Sequence, residues 1–375
     1  MTLDDRVRAW SYRRQQLGRT GTDDLLATLA NTVAAYASQP TAILALAARA
    51  PRIGPDAFRA LEADRAAVRI PAMRGSSHLV PTETAATVFA ATRRPADQLS
   101  WLWRGIGLSA DEYAHARDAV VDAAGDVPVS VVDLRRLVRG EAATLLERHP
   151  QAPTFVVRAA RTEGLLIAIG PEGLRSNAFT YVATATWLKR PFEPVDPDEA
   201  LGWLVGEYLR AFGPARAEDI RWWTGATAQR AKRALARHAT VDVGDGLLLP
   251  AHDAEAFAAT DPLDPDAIEL TPLWDMWTMG YARGGRSRFV RPEDESRLFA
   301  NNADGMGAVL RGGRAIGAWW LRFRGARMEV DLDLFVPAST ALRSVVDDRL
   351  GEVALLLGAA GVDVVDGPVR GRRLA

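Results

Sequence analysis

The chain has 375 residues, 48% of them hydrophobic and 25% charged, with a net charge of −1; these values suit a soluble globular protein of two to four domains. It contains no cysteine, which excludes disulfides, thiolate chemistry and thiolate-bound zinc, and no apolar run near the ~20 residues that cross a bilayer. Its start, Met-Thr-Leu-Asp-Asp-Arg, lacks the basic-then-apolar layout of a signal peptide, so the expectation is a cytoplasmic protein with no membrane partner.

Apolar spacing predicts helices over residues 5–16 and 23–36, the second capped by Thr22 and ended by Pro40. Over 56–70, Phe58, Leu61 and Val68 share one stripe and predict a surface helix. From Pro128 the chain reads as helix, then a helix over 155–163, then a strand over 165–170. A proline- and acid-rich linker covers 190–198. The same order recurs more clearly over 214–250: helix 215–223, a Thr224-Gly225 turn, helix 227–238, and a hairpin around Gly244-Asp245-Gly246. On that second helix Arg230, Arg233 and Arg237 share one face, with Ala228, Ala231 and Leu235 opposite. This is the layout of a recognition helix, and equally of a plain amphipathic helix with a solvated arginine face. Beyond about 255 strands dominate: 308–311 and 315–321 joined by Gly312-Gly313, an alternating run over 328–335, a helix over 340–357 and a strand over 362–365.

Almost all positive charge is arginine; the only lysines are Lys189 and Lys232. A GC-rich genome produces that bias, and arginine is also the better phosphate partner because of its planar fork of donors. Net charge near zero leaves both explanations open, since binding needs only a local excess on one face.

Four stretches, in order along essentially the whole chain, carry a resemblance: Ala72-Met-Arg-Gly-Ser-Ser-His-Leu-Val-Pro81; Tyr208-Leu-Arg-Ala-Phe-Gly-Pro214 with Ile220-Arg-Trp-Trp-Thr-Gly225; Pro272-Leu-Trp-Asp-Met-Trp-Thr-Met-Gly-Tyr281; and Val309-Leu-Arg-Gly-Gly-Arg-Ala-Ile-Gly-Ala-Trp319. They resemble the winged-helix DNA-binding family that includes the azinomycin-resistance and crosslink-repair DNA glycosylases. The resemblance implies an α+β fold: tandem winged-helix (helix-turn-helix) domains over 1–92, 93–192 and 193–255, and a β-rich, barrel-like C-terminal domain over 256–375. It also implies a monomer acting on double-stranded DNA that carries alkylated purines, with no cofactor and no metal.

Glycosylases of this family remove N7-alkylated purines, including bulky adducts and crosslinks. Alkylation at N7 leaves the purine positively charged and its sugar bond weakened. The protein therefore need only place a water near C1′ and stabilise an oxocarbenium ion with fixed dipoles. In the family a Gln-x-Gln or Gln-x-Asp pair holds that water, shortly before an apolar helix ending in Ala-Arg. The matching segment here, Ala35-Tyr-Ala-Ser-Gln-Pro-Thr-Ala-Ile-Leu-Ala-Leu-Ala-Ala-Arg49, lacks the pair. One register puts Tyr36 and Ser38 in its place, the other Ala37 and Gln39.

Gln39, Ser38 and Tyr36 are thus the candidate catalytic residues, with Gln39 either the lone water-holder or a residue satisfying backbone at the helix start. Arg74, His78, Arg230, Arg233 and Arg237 are candidate DNA contacts, the first two being equally readable as fold residues. Asp275, between Trp274 and Met276, is a candidate cleft residue or a cap. Trp222 and Trp223 read as core anchors, and the remaining histidines lack ligand spacing. The competing function is a non-catalytic winged-helix DNA-binding protein or transcriptional regulator.

Overall fold

A computed structural model describes residues 1–50, 52–94, 98, 100–300 and 304–369. The chain forms two compact units, Met1–Phe58 with Val205–Ala375, and Arg59–Leu204. Compactness therefore groups the N-terminal segment with the C-terminal half, a grouping absent from the expected boundaries at 92, 192 and 255. The cause is the first helix, Leu3–Arg14, capped by Thr2. Arg13 donates to the Asp261 and Pro262 carbonyls (2.6 and 2.8 Å), and the Tyr12 ring packs edge-on to Trp277 at 5.7 Å.

In this first unit the main sheet has five strands in the order Val362–Asp366, Arg327–Leu334, Arg314–Arg324, Gly307–Arg311, Ile268–Thr271. All neighbours are antiparallel except the first pair. The Gly312-Gly313 turn has φ of +53° and +72°, the left-handed region glycine enters freely. The expected barrel does not form. A parallel last strand needs a crossover, which the helix Thr340–Leu356 supplies. That helix buries Leu342, Val346, Leu350 and Ala354 and contacts both edge strands, so the apolar face is covered by a helix and the sheet stays open.

The same unit holds two helices, Ala217–Thr224 and Ala228–Leu235, turned by Gly225 (φ +75°) and followed by the hairpin Thr240–Asp242/Leu248–Pro250. The second helix is shorter than its sequence pattern. It buries Ala231 and Ala234, whereas Ala228 is exposed and Arg237 lies past its end. Trp223 is buried against Tyr208 and Phe212 (ring centroids 5.0 and 5.3 Å), as a core anchor should be, and Trp222 is half-buried.

The second unit packs helices Ala110–Ala124, Val131–Leu137, Gly140–Glu147 and Ala152–Thr162 around one apolar core. Its antiparallel strands run Ser77–Pro81, Ala67–Pro71, Leu166–Ile169, Thr180–Ala183.

Two helix expectations fail near the start of the chain. The segment 23–36 is helical only over Leu25–Asn31, capped by Asp24 rather than Thr22, because Val33 adopts φ +71° and Ala35–Tyr36 is extended. The segment 56–70 is helix only over Pro55–Ala63; Arg65 (φ +60°) breaks it, and Val68 is buried on a strand. Arg69 on that strand is also fully buried, neutralised by Glu62 through bonds of 2.9 and 2.8 Å. A buried arginine between apolar residues imitates helical periodicity, which hid the strand.

Candidate active site

The segment 36–39 links the short strand Ala35–Tyr36 to the helix Thr41–Ala47. That helix is apolar all round, and residues Thr41 through Leu46 are all buried. Its first turn is set by the preceding backbone: the Ser38 carbonyl accepts from Ala42 N (2.9 Å) and the Pro40 carbonyl from Leu44 N (3.1 Å). Exposure alternates along the segment. Tyr36 and Ser38 are half-buried, whereas Ala37 and Gln39 are buried, Gln39 to 6% exposure. Ser38 Oγ is sealed from solvent with no hydrogen-bond partner among the described residues.

Both ends of the segment are held by the loop that carries Pro272-Leu-Trp-Asp-Met-Trp277. At the near end the Tyr36 ring lies 6.4 Å from that of Trp274, whose Nε1 donates to Asp304 (3.2 Å). At the far end Arg49, fully buried, meets Asp275, also fully buried: Nη1 donates to Oδ2 at 2.8 Å and Nη2 to Oδ1 at 3.0 Å. Further bonds join the same groups. Arg49 Nη1 also donates to the Ala45 carbonyl (2.7 Å), Nη2 to Gln15 Oε1 (3.2 Å), and Asp275 Oδ1 accepts from Trp277 N (2.9 Å). Gly21 lies so close that a Cβ there would sit 2.6 Å from the Arg49 carbonyl oxygen. Asp275 is therefore a buried anchor for the candidate catalytic helix, and its carboxylate does not line a cleft.

The other sequence candidates divide. Arg233 and Arg237 are exposed, and Arg230 is half-buried with its backbone N–H capped by Thr227 Oγ1 (3.3 Å). In the second unit, Arg74 sits in the turn Met73–Gly75 with φ +57° and is half-buried. His78 is 2% exposed, opposite Ile70 in the hairpin, with Nδ1–H donating to the Ser76 carbonyl (3.0 Å). Burial, with a smaller effect from the Arg74 charge, pushes its pKa down to about 4, so the ring is neutral and turned inward rather than presented to DNA. No group of three or more His, Asp or Glu suited to a metal occurs among the described residues, nor any helix long and apolar enough to cross a membrane.

Sequence reasoning missed the partners. Arg49 was visible as the end of an apolar helix and Asp275 as a lone acid among tryptophans, but nothing in the chain announces a bond across 226 positions.

The AlkZ-like DNA glycosylase family matches residues 24–356 of this chain. A curated relative, the interstrand DNA cross-link repair glycosylase of Streptomyces sahachiroi, is 27% identical over 281 residues, covering 68% of this chain and 71% of the relative. Among solved structures, the Streptomyces sahachiroi DNA glycosylase AlkZ matches with a TM-score of 0.76 and 22% identity, over 97% of this chain and 99% of that one, a likeness of fold.

Proposed function

Because the chain belongs to the AlkZ-like DNA glycosylase family, we propose that it excises N7-alkylated purines from double-stranded DNA, crosslinked purines among them, by water attack at C1′. The name of the Streptomyces sahachiroi relative supports the crosslink. In this reading the helix pairs with their hairpins are winged-helix modules that dock the duplex, with Arg230, Arg233 and Arg237 toward the phosphates. Catalysis takes the register in which Tyr36 and Ser38 replace the family's paired polar residues. The observation that carries this is that Tyr36 and Ser38 share the half-buried side of the segment, with Ser38 Oγ making no hydrogen bond to a described residue. A hydroxyl can accept from a water or donate to it without being a strong base. Gln39 then supports the helix start, and the Arg49–Asp275 pair holds the segment in place.

The test is release of free 7-methylguanine, or of a bulkier adduct base, from alkylated DNA. Ser38→Ala should slow release at least about tenfold, about 1.4 kcal/mol of barrier, with its melting temperature unchanged. A fully active Ser38→Ala removes that residue from the chemistry. A second reading, DNA binding without excision, is favoured by the burial of Gln39, the one glutamine left in the segment; it takes over if wild type releases no base from any N7 adduct.

A further inference from the structure

In the second unit a cavity of about 130 Å³ is lined by Arg74, Arg93, Arg94 and Arg158 with Trp101 at its edge, and no carboxylate is among its described lining residues. Three exposed guanidiniums, those of Arg93, Arg94 and Arg158, with no carboxylate among the described lining residues are unusual in a chain whose acids match its bases. The groups are placed by the fold. Arg94 packs over Gly75 (φ +76°), where a Cβ would lie 3.3 Å from the guanidinium, and its Nη2 is 3.5 Å from the Arg74 carbonyl. Arg158 stands 5.5 Å from the centre of the Trp101 ring, and that indole, on the helix Ser100–Arg104, is 51% exposed.

We infer that this hollow is a phosphodiester clamp for the DNA backbone, in which Arg93, Arg94 and Arg158 grip phosphate and Trp101 packs against the adjoining sugar or base. The inference rests on the DNA-glycosylase reading for its choice of polyanion. A cavity this small is below the roughly 300 Å³ at which sites for drug-sized molecules begin, and it suits a compact anion. Guanidinium forks match phosphate oxygens, and an exposed indole offers a stacking face that does not depend on sequence. These residues contact backbone, so they contribute affinity and register without choosing the lesion.

The experiment measures the affinity of the full chain for a labelled, undamaged duplex over a range of salt concentrations. Each phosphate contact adds about 0.9 to the slope of log K against log salt. The triple variant Arg93→Gln, Arg94→Gln, Arg158→Gln should therefore lose about 2–3 from the slope and bind at least about tenfold more weakly. Arg93→Gln alone, an exposed position that leaves the fold undisturbed, should lose about 1. Trp101→Ala should weaken binding several-fold with the slope unchanged. Wild-type slope and affinity in both arginine variants would overturn the clamp. Base release by wild type is scored separately. A lost slope with no base released by wild type leaves the clamp standing and removes the enzyme reading, whereas base release with unchanged slopes does the reverse.

Discussion

Two regions of the molecule use the same residue type in opposite ways. On the C-terminal sheet and its helix, arginine is answered by acid: Arg322 meets Glu329 and Asp331 (2.7 and 2.9 Å), Arg324 meets Glu329 (2.8 Å), and Arg343 meets Asp347 and Asp366 (2.9 and 2.6 Å). Around the hollow of the second unit the described lining residues include four arginines and no acid. Net charge averages the two regions to nearly nothing. What marks a surface for a polyanion is a local excess of positive charge, and only the folded chain decides where that excess lies.

A sharper contrast comes from the buried pair. Arg49→Met should cost about 3–5 kcal/mol, because Asp275 would lose its cationic partner while remaining away from water. Urea midpoints report it, and Arg49→Met with Asp275→Leu should recover much of the loss. If the double variant is no better than the single, the pair is not the anchor described here.

His78 offers the next largest effect. Its folded pKa, depressed to about 4 from 6.5, means that the unfolded chain takes up a proton that the folded chain refuses. Its contribution is thus fully present above pH 6.5 and is lost as pH falls toward 4, on the order of 3 kcal/mol in all. His78→Asn should flatten the fall in stability between pH 7 and 4; an unchanged pH profile would show that the ring titrates normally.

The smallest effect belongs to the paired sheet. Arg322→Gln should cost under about 1 kcal/mol and leave DNA affinity and its salt slope as in wild type. A loss of affinity there would erase the contrast between the two regions.

The helix and the strands of the C-terminal sheet beyond residue 306 were legible in the sequence to within about three residues, because alternation and a paired-glycine turn are local signals. The segment 56–70 misled because Arg69 is buried, and burial of a charge depends on a partner, Glu62, that periodicity cannot see. For the candidate site, the sequence supplied Tyr36, Ser38 and Gln39 but left two registers open. Exposure alternates along 36–39, and the proposal of Tyr36 and Ser38 starts from that alternation.

By itself, then, the amino-acid order determined the element types over 214–250 and 308–365, the turns at Gly225 and Gly312-Gly313, and the motifs that carry the family resemblance, since each depends on residues a few positions apart. Only the tertiary structure decided that the C-terminal sheet stays open, that Asp275 faces Arg49, that His78 turns inward, and that Arg93, Arg94 and Arg158 meet around one hollow. Each of these depends on which distant side chain or helix occupies the neighbouring space, and contacts made across tens or hundreds of residues leave no periodicity in the chain.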